Sequence, residues 1–157
     1  MLISKDNFTG ELYIEGLAGS STTATLIANL IESMIEKREK QFLQQFLGNL
    51  YEPFMEYVDG DLDEDSPYYK LYEYLSSNDS PIAYFVYFYY IRYVNTCVTP
   101  NGVRKDRTNA YNPNEKLVST WNAMADINRE IDKYLHKEFK EYQTNEYLLM
   151  YTNSLGI

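Results

Sequence analysis

The chain has 157 residues, a formal net charge of −9, one cysteine and 17 tyrosines. The length fits a single domain, and an apolar fraction of 45% argues against wholesale disorder. Such an acidic chain is unsuited to wrapping nucleic acid, because phosphates are bound by clustered Lys and Arg. Cys97 alone cannot form an intrachain disulfide, and the chain opens without the basic start and apolar run of a signal peptide. We therefore expect folding in a reducing cytosol.

The N-terminal third of the sequence predicts an arm followed by a long helix. Residues 1–19 alternate short apolar groups with glycines, a pattern of turns and brief extended pieces. Ser20, Ser21 and Thr22 then offer N-cap hydroxyls before a stripe of apolar residues at helical spacing, and Gly48 provides the stop. We expect residues 36–40 to be the water-facing part of this helix.

The middle of the chain predicts three helices, each with a proline near its start. Residues 50–58 are apolar, with Pro53 where a first helical turn tolerates it. Ser66-Pro67 and Ser80-Pro81 each read as an N-cap and a first helical residue. The segment after Ser80-Pro81 is so aromatic that propensity alone favours a strand. Its capping pair and length favour a central helix that is hydrophobic on nearly every side. Its apolar run, residues 82–91, is about half of the roughly 20 residues that cross a bilayer, so we expect no membrane span.

The last third predicts a hairpin, a second long helix and an apolar tail. Pro100-Asn101-Gly102 between β-branched residues indicates a β-hairpin insert at residues 96–107, which we expect to project and find a partner edge. Asn112-Pro113 caps a helix whose apolar period continues to Tyr142, over about 30 residues. Tyr147-Leu148-Leu149-Met150-Tyr151 is too apolar to be left in water, so we expect residues 145–157 to be a contact tail of either strand or helix.

Together these elements predict a mainly α fold: a helical bundle with two long helices, a central aromatic helix and a projecting β-hairpin. The expected organisation is one helical domain, residues 1–144, with the arm and the hairpin as its attachments. The contact tail follows at residues 145–157.

The residues that could carry chemistry do not form a recognisable site. Asp61, Asp63 and Asp65 imitate the start of a calcium loop, but Ser66 and Tyr72 stand where an EF-hand needs glycine and glutamate. His136, the only histidine, lies on the long helix without an assignable nucleophile, so we expect a surface residue. Arg104 and Lys105 could lower the pKa of the Cys97 thiol, yet a buried small hydrophobe is the commoner reading of a lone cysteine. We expect no cofactor, no metal and no enzymatic activity.

Charge and aromatic residues point instead to contacts with partners. Arg104, Lys105 and Arg107 form a basic cluster that is either ordinary solvated charge or a partner or DNA contact. Residues 59–65 form its acidic opposite, which the hairpin of a neighbouring copy could meet in a head-to-tail ring. The tyrosine-rich helix could stack single-stranded nucleic acid, but Arg92 stands alone there, which favours packing.

Several of these segments resemble the small head-tail connector (adaptor) proteins of tailed bacteriophages. Thr22 to Gly48 is similar to their first long helix. The Tyr84 to Tyr93 helix, the Thr99-Pro100-Asn101-Gly102-Val103 insert and the Trp121-Asn122-Ala123-Met124 helix are similar to those of Bacteroides phages, including crAss-like phages. The resemblance implies a mostly helical subunit of a twelve-membered ring beneath the portal. That ring seals the DNA exit channel and presents a surface to the next tail component. Arm, hairpin and tail would be contact elements ordered mainly on assembly.

We therefore expect a non-enzymatic connector subunit, made in the host bacterial cytoplasm and located at the head-tail junction of the virion. Its partners would be copies of itself, the portal protein and the next tail or stopper protein, with DNA only as passing cargo and an acidic lumen to keep DNA from sticking. The alternative is a cytosolic adaptor or regulatory protein that binds a partner through its tail. The expected contact residues are Val98, Val103, Arg104, Lys105, Arg107, Asp61, Asp63, Asp65, Tyr147, Leu148, Leu149 and Tyr151.

Overall fold

The computed structural model describes residues 1–60, 62–99, 102–105 and 113–153, with the backbone alone at 97–99 and 102–105. The helices are α1 (Thr22–Leu47), α2 (Tyr51–Asp59), α3 (Pro67–Ser76), α4 (Pro81–Val94) and α5 (Pro113–Glu138). β1 (Thr96–Thr99) and β2 (Gly102–Lys105) pair antiparallel, with Val98 opposite Val103. The protein is a helical bundle. That the hairpin projects and meets a partner stays a prediction.

The helix starts are those that the sequence predicts. The Ser21 hydroxyl accepts a hydrogen bond from the Ala24 amide at the start of α1. Ser66 and Ser80 cap α3 and α4 in the same way, each followed by proline in the first turn. Such caps satisfy amides that the first turn of a helix leaves without a backbone partner. α1 ends at Gly48, whose φ of 52° lies in the region that favours glycine.

α4 occupies the middle of the bundle and packs against both α1 and α5. The Phe85 ring meets Phe42 of α1 edge to face, with 5.4 Å between ring centroids. On the other side, Phe88 meets Trp121 of α5 at 5.1 Å. Eight of the fourteen residues of α4 are buried. The prediction of a helix in this strand-like composition is confirmed, because tertiary packing outweighs local propensity.

The N-terminal segment, residues 1–19, is not the free arm that the sequence predicts. It crosses the bundle in two short 3-10 turns, Lys5–Asn7 and Gly10–Leu12, and its apolar side chains join the common core. The buried members are Ile3, Phe8, Leu12, Ile14 and Leu17. Each fully buried side chain of this size contributes about 1.5–3 kcal/mol. The segment is therefore part of the folded subunit before any assembly.

Glu39 attaches the start of this segment to α1. Its carboxylate oxygen Oε2 accepts hydrogen bonds from the Leu2 amide at 2.9 Å and the Ile3 amide at 3.2 Å. Glu39 is only 7% exposed, which corrects the prediction that residues 36–40 all face water. Burial raises the pKa of the Glu39 carboxyl despite the two amides and the nearby N-terminal amine, which act to lower it.

α5 is shorter than its apolar period suggests and ends at Glu138. The Tyr142 amide donates to the Phe139 carbonyl in a turn. The Tyr142 ring then enters the core, where its hydroxyl donates to the Phe46 carbonyl at 3.1 Å. No glycine or proline stands at this point, so nothing in the local sequence marks the stop. Burial raises the pKa of the Tyr142 hydroxyl strongly.

A glutamine at position 39 should change how stability depends on pH. Glutamine can accept the same two amide hydrogen bonds without a buried charge. Because the folded-state pKa of Glu39 is raised, its stabilising contribution is full below the ordinary value of 4.5 and is lost as the pH rises through the folded-state pKa. We expect Glu39→Gln to lose less free energy of unfolding than wild type between about pH 5 and about pH 7, measured by urea denaturation.

The exposed Glu36 on the same helix provides the matched control, Glu36→Gln, which should keep the wild-type pH dependence. Glu39→Leu leaves both amides without an acceptor and should cost about 1–3 kcal/mol for each of them. Equal pH dependence of stability in wild type and Glu39→Gln would contradict a raised pKa of the Glu39 carboxyl in the folded state.

Candidate partner-binding surface

The geometry around His136 does not make a catalytic pair. Its Nε2 lies 2.6 Å from the Thr144 hydroxyl oxygen, and that hydroxyl donates to Asp132 Oδ1 at 2.8 Å. A hydroxyl has one proton, so His136 must donate to Thr144 and cannot act as its base. A nucleophile activated by histidine needs the opposite arrangement. The three side chains instead connect α5 to the chain that follows it.

The described residues of the acidic loop are exposed. Asp63, Glu64 and Asp65 all face solvent, and none forms an ion pair with a described residue. The Tyr57 hydroxyl donates a hydrogen bond to the Asp63 carbonyl, and the Asp65 amide donates one to the Asp63 carboxylate. Across the described ranges, no three His, Cys, Asp or Glu residues lie together as metal ligands would. Asp61 lies outside the described residues.

The predicted basic cluster cannot be assembled from the described side chains. Arg104 and Lys105 lie in β2, opposite Cys97 and Thr96 of β1. The side chains of both, like those of Cys97, Val98 and Val103, lie outside the described part of the structure, as does the whole of Arg107. The charge of this cluster is therefore known only from the sequence.

α5 binds the tail through the tail's backbone. The Trp121 indole N–H donates to the Met150 carbonyl at 2.9 Å, and Asn128 Nδ2 donates to the Leu148 carbonyl at 2.9 Å. Asn122 binds Thr152 twice, donating to its carbonyl at 3.1 Å and accepting from its amide at 2.9 Å. Carbonyls at alternate positions of the tail thus turn toward α5. The tail begins with a 3-10 turn, Glu146–Leu149.

This attachment turns three large side chains outward. Tyr147 is 62% exposed, Met150 60% and Tyr151 53%. Tyr151 is held in place by Arg129, whose guanidinium lies 3.7 Å from the centre of the ring, and by a hydrogen bond from its hydroxyl to Asp126. That hydrogen bond is the main reason that the pKa of the Tyr151 hydroxyl is raised. We call Tyr147, Met150 and Tyr151 the tail surface.

Not every predicted tail contact residue belongs to this surface. Leu148 is fully buried in the core of its own chain, where Asn128 donates a hydrogen bond to its carbonyl and holds its backbone against α5. It is therefore unavailable to a partner in this fold, which corrects its assignment as a contact residue. Leu149 is partly buried against the same core. Tyr147 and Tyr151 are the predicted residues that the structure brings together on the outside.

The residues that hold the tail are not among those predicted from the sequence to make contacts. Trp121 and Asn122 enter the prediction only as parts of a helix and of the connector resemblance, and Asn128 does not enter it. Asn128 offers a signal, since it interrupts the apolar stripe of α5 between Met124 and Ile131 and is itself fully buried. A buried amide at a core position needs polar partners, which suggests a backbone segment packed against it.

Comparison with known proteins gives no match: no family model, curated protein or solved structure matches the chain. Among the described helices, none has both the length and the apolar character that crossing a bilayer requires.

Replacing Asn128 should loosen the tail and leave the bundle folded. In Asn128→Leu the buried Leu148 carbonyl loses its donor, at a cost of about 1–3 kcal/mol. We expect faster amide hydrogen exchange at Leu148 and Thr152, with little change in α1 and α4. Ser119→Ala, an exposed change on the same helix, serves as the control. Unchanged exchange at Leu148 would show that Asn128 does not hold the tail.

Proposed function

We propose that this protein is a structural subunit of a phage head-tail connector ring, attached below the portal, where it seals the DNA channel and joins head to tail. The single observation that carries the proposal is the tail surface. Three exposed, largely apolar side chains stand on a segment that α5 holds by hydrogen bonds to the backbone of Leu148, Met150 and Thr152. Tyrosine and methionine are enriched at protein interfaces, where a large apolar body and a polar end are both useful.

We propose the partners of this surface from the sequence resemblance. The segments that resemble connector proteins are α1 with its terminal Gly48, α4, the insert of β1 and β2, and the Trp121 region of α5. On this basis we propose copies of the chain in a ring of twelve, the portal protein and the next tail or stopper protein as partners. The chain would act without enzymatic activity at the head-tail junction of the virion.

The net charge of −9 supports a role in which DNA passes without binding. Like charges repel, so an acidic channel wall would keep the DNA backbone from adhering during transit. A ring whose lumen is instead lined by Arg104, Lys105 and Arg107 would count against this part of the proposal.

A cytosolic adaptor or regulatory protein is the second candidate, because a tail surface of this kind can also bind a single protein partner; the sequence resemblance favours the connector. In that case the surface would bind one protein partner without ring formation. The two functions differ in the assemblies that they predict, so the mass of the particle in solution separates them.

We expect the purified chain to form a ring, either alone or with the portal protein encoded in the same genome. The measurement is the mass of the particle in solution, followed by electron-microscope images that count the subunits. A chain that stays monomeric and has no affinity for the portal would overturn the connector proposal and favour the adaptor.

The tail surface should become protected on assembly. We expect Tyr147 and Tyr151 to be modified readily by a tyrosine-selective reagent in the isolated subunit and slowly in the assembly. Substituting both with serine should weaken assembly by about tenfold or more, since a fully buried ring contributes about 1.5–3 kcal/mol and roughly half of each of these two rings is still exposed in the single chain.

Tyr13 supplies the matched control, because its ring is 61% exposed but lies in the N-terminal segment. Tyr13→Ser should leave assembly unchanged. If the double serine variant assembles as tightly as wild type, the tail surface is not an interface.

A further inference from the structure

Two arginines from different helices lie on one face of the bundle, beside the end of α4. The Arg38 guanidinium of α1 stacks on Tyr89 at 3.7 Å from the ring centre. Arg92 lies 5.6 Å from the centre of the Phe88 ring. With neighbours from three elements they line an open depression of about 510 Å³. We call this the arginine depression, and its lining residues are Met34, Arg38, Tyr89, Arg92, Tyr93 and Thr96.

The nearness of these two arginines cannot be predicted from the sequence. Arg92 stands alone in the aromatic run of α4, and Arg38 lies in the charged stretch of α1 that we expected to face water. The fold brings them together across the α1 and α4 contact. Beside them Tyr93 is exposed, so the depression combines two positive charges with an accessible aromatic ring.

Both guanidinium groups have donors to spare. Arg38 Nη1 donates to Gln41 Oε1 at 2.6 Å, and neither arginine forms an ion pair with a described carboxylate. A guanidinium stacked on a ring keeps its planar N–H edge free, and that edge fits a carboxylate with two parallel hydrogen bonds. In an acidic protein, two arginines on one face without an ion pair among the described residues suit a ligand that carries carboxylates.

The acidic loop of this chain, residues 59–65, has the complementary chemistry. Asp63, Glu64 and Asp65 are exposed and form no ion pairs among the described residues, and the exposed Leu62 lies beside them. The hydrogen bonds at Asp63 constrain residues 63–65 of this loop in the single chain. A shaped loop loses less conformational entropy on binding than a free one.

We propose that the arginine depression binds the acidic loop of a second copy of this chain. The inference rests on the proposed ring and names the residues and the partner of its subunit contact. A basic face and an acidic loop at different places on one molecule form a heterologous contact, which repeats from copy to copy and can close into a ring. Single-stranded nucleic acid is the competing occupant, since it also binds arginine and tyrosine.

Two charge-reversal variants of the full chain test the contact. Arg38→Glu with Arg92→Glu reverses the depression, and Glu64→Lys with Asp65→Lys reverses the loop. Each variant alone should need about tenfold or more higher concentration to assemble, because like charges then meet. An equimolar mixture should recover assembly, because an alternating ring joins the unaltered depression to the unaltered loop at one contact and the reversed depression to the reversed loop at the next, and both contacts are complementary. Lys133→Glu with Lys140→Glu, which reverses two exposed lysines elsewhere, should assemble as wild type does.

The outcomes separate this inference from the proposed function. If wild type assembles and the arginine variant assembles equally well, the contact is wrong and the ring proposal stands. If the arginine variant fails and the mixture does not recover, the loop is not the occupant. Loss of binding to a short single-stranded oligonucleotide in that variant would assign the depression to nucleic acid. Absence of wild-type assembly with or without the portal overturns the ring and this contact together. Circular dichroism of every variant confirms that the bundle is folded.

Discussion

The burial of α4 is the constraint on which the rest of the bundle depends. This helix is apolar on nearly every side, so it is stable only when neighbours cover its whole circumference. α1 and α5 cover two sides. The N-terminal segment adds a third cover, where the Tyr87 hydroxyl donates to the Tyr13 carbonyl. The Trp121 ring contacts both Phe88 of α4 and Tyr147 of the tail, so it connects the core to the tail.

Both ends of the chain are held by the same kind of contact. Neither is a regular helix or strand throughout, so their backbone groups need partners from elsewhere. Glu39 supplies an acceptor for two amides near the start of the chain. Trp121, Asn122 and Asn128 supply donors for carbonyls near its end. Polar side chains on the two long helices thus satisfy the backbone groups of irregular segments, as hydrogen bonds between neighbouring strands do in a sheet.

The parts of this fold that sequence predicts are those encoded locally. The caps at Ser66 and Ser80 each involve a few neighbouring residues, so their patterns suffice. Glu39 and Asn128 act on segments that are distant in sequence, and charge or periodicity alone placed Glu39 on a solvated face. For the same reason the sequence does not predict that Arg38 and Arg92 lie near each other. They meet where α1 packs against α4, and that packing depends on the whole core.

The groups that attach the tail to α5 are largely different from the side chains that a partner of the tail surface would meet. α5 holds the tail mainly through main-chain atoms of Leu148, Met150 and Thr152, and Leu148 is the buried apolar anchor. The rings of Tyr147 and Tyr151 also contact α5, so substitutions there change part of the attachment. A substitution at position 150 can alter which molecule is recognised while the segment keeps its position on the helix. One scaffold could in this way carry different specificities, each acquired by side-chain changes alone and without a new mode of folding.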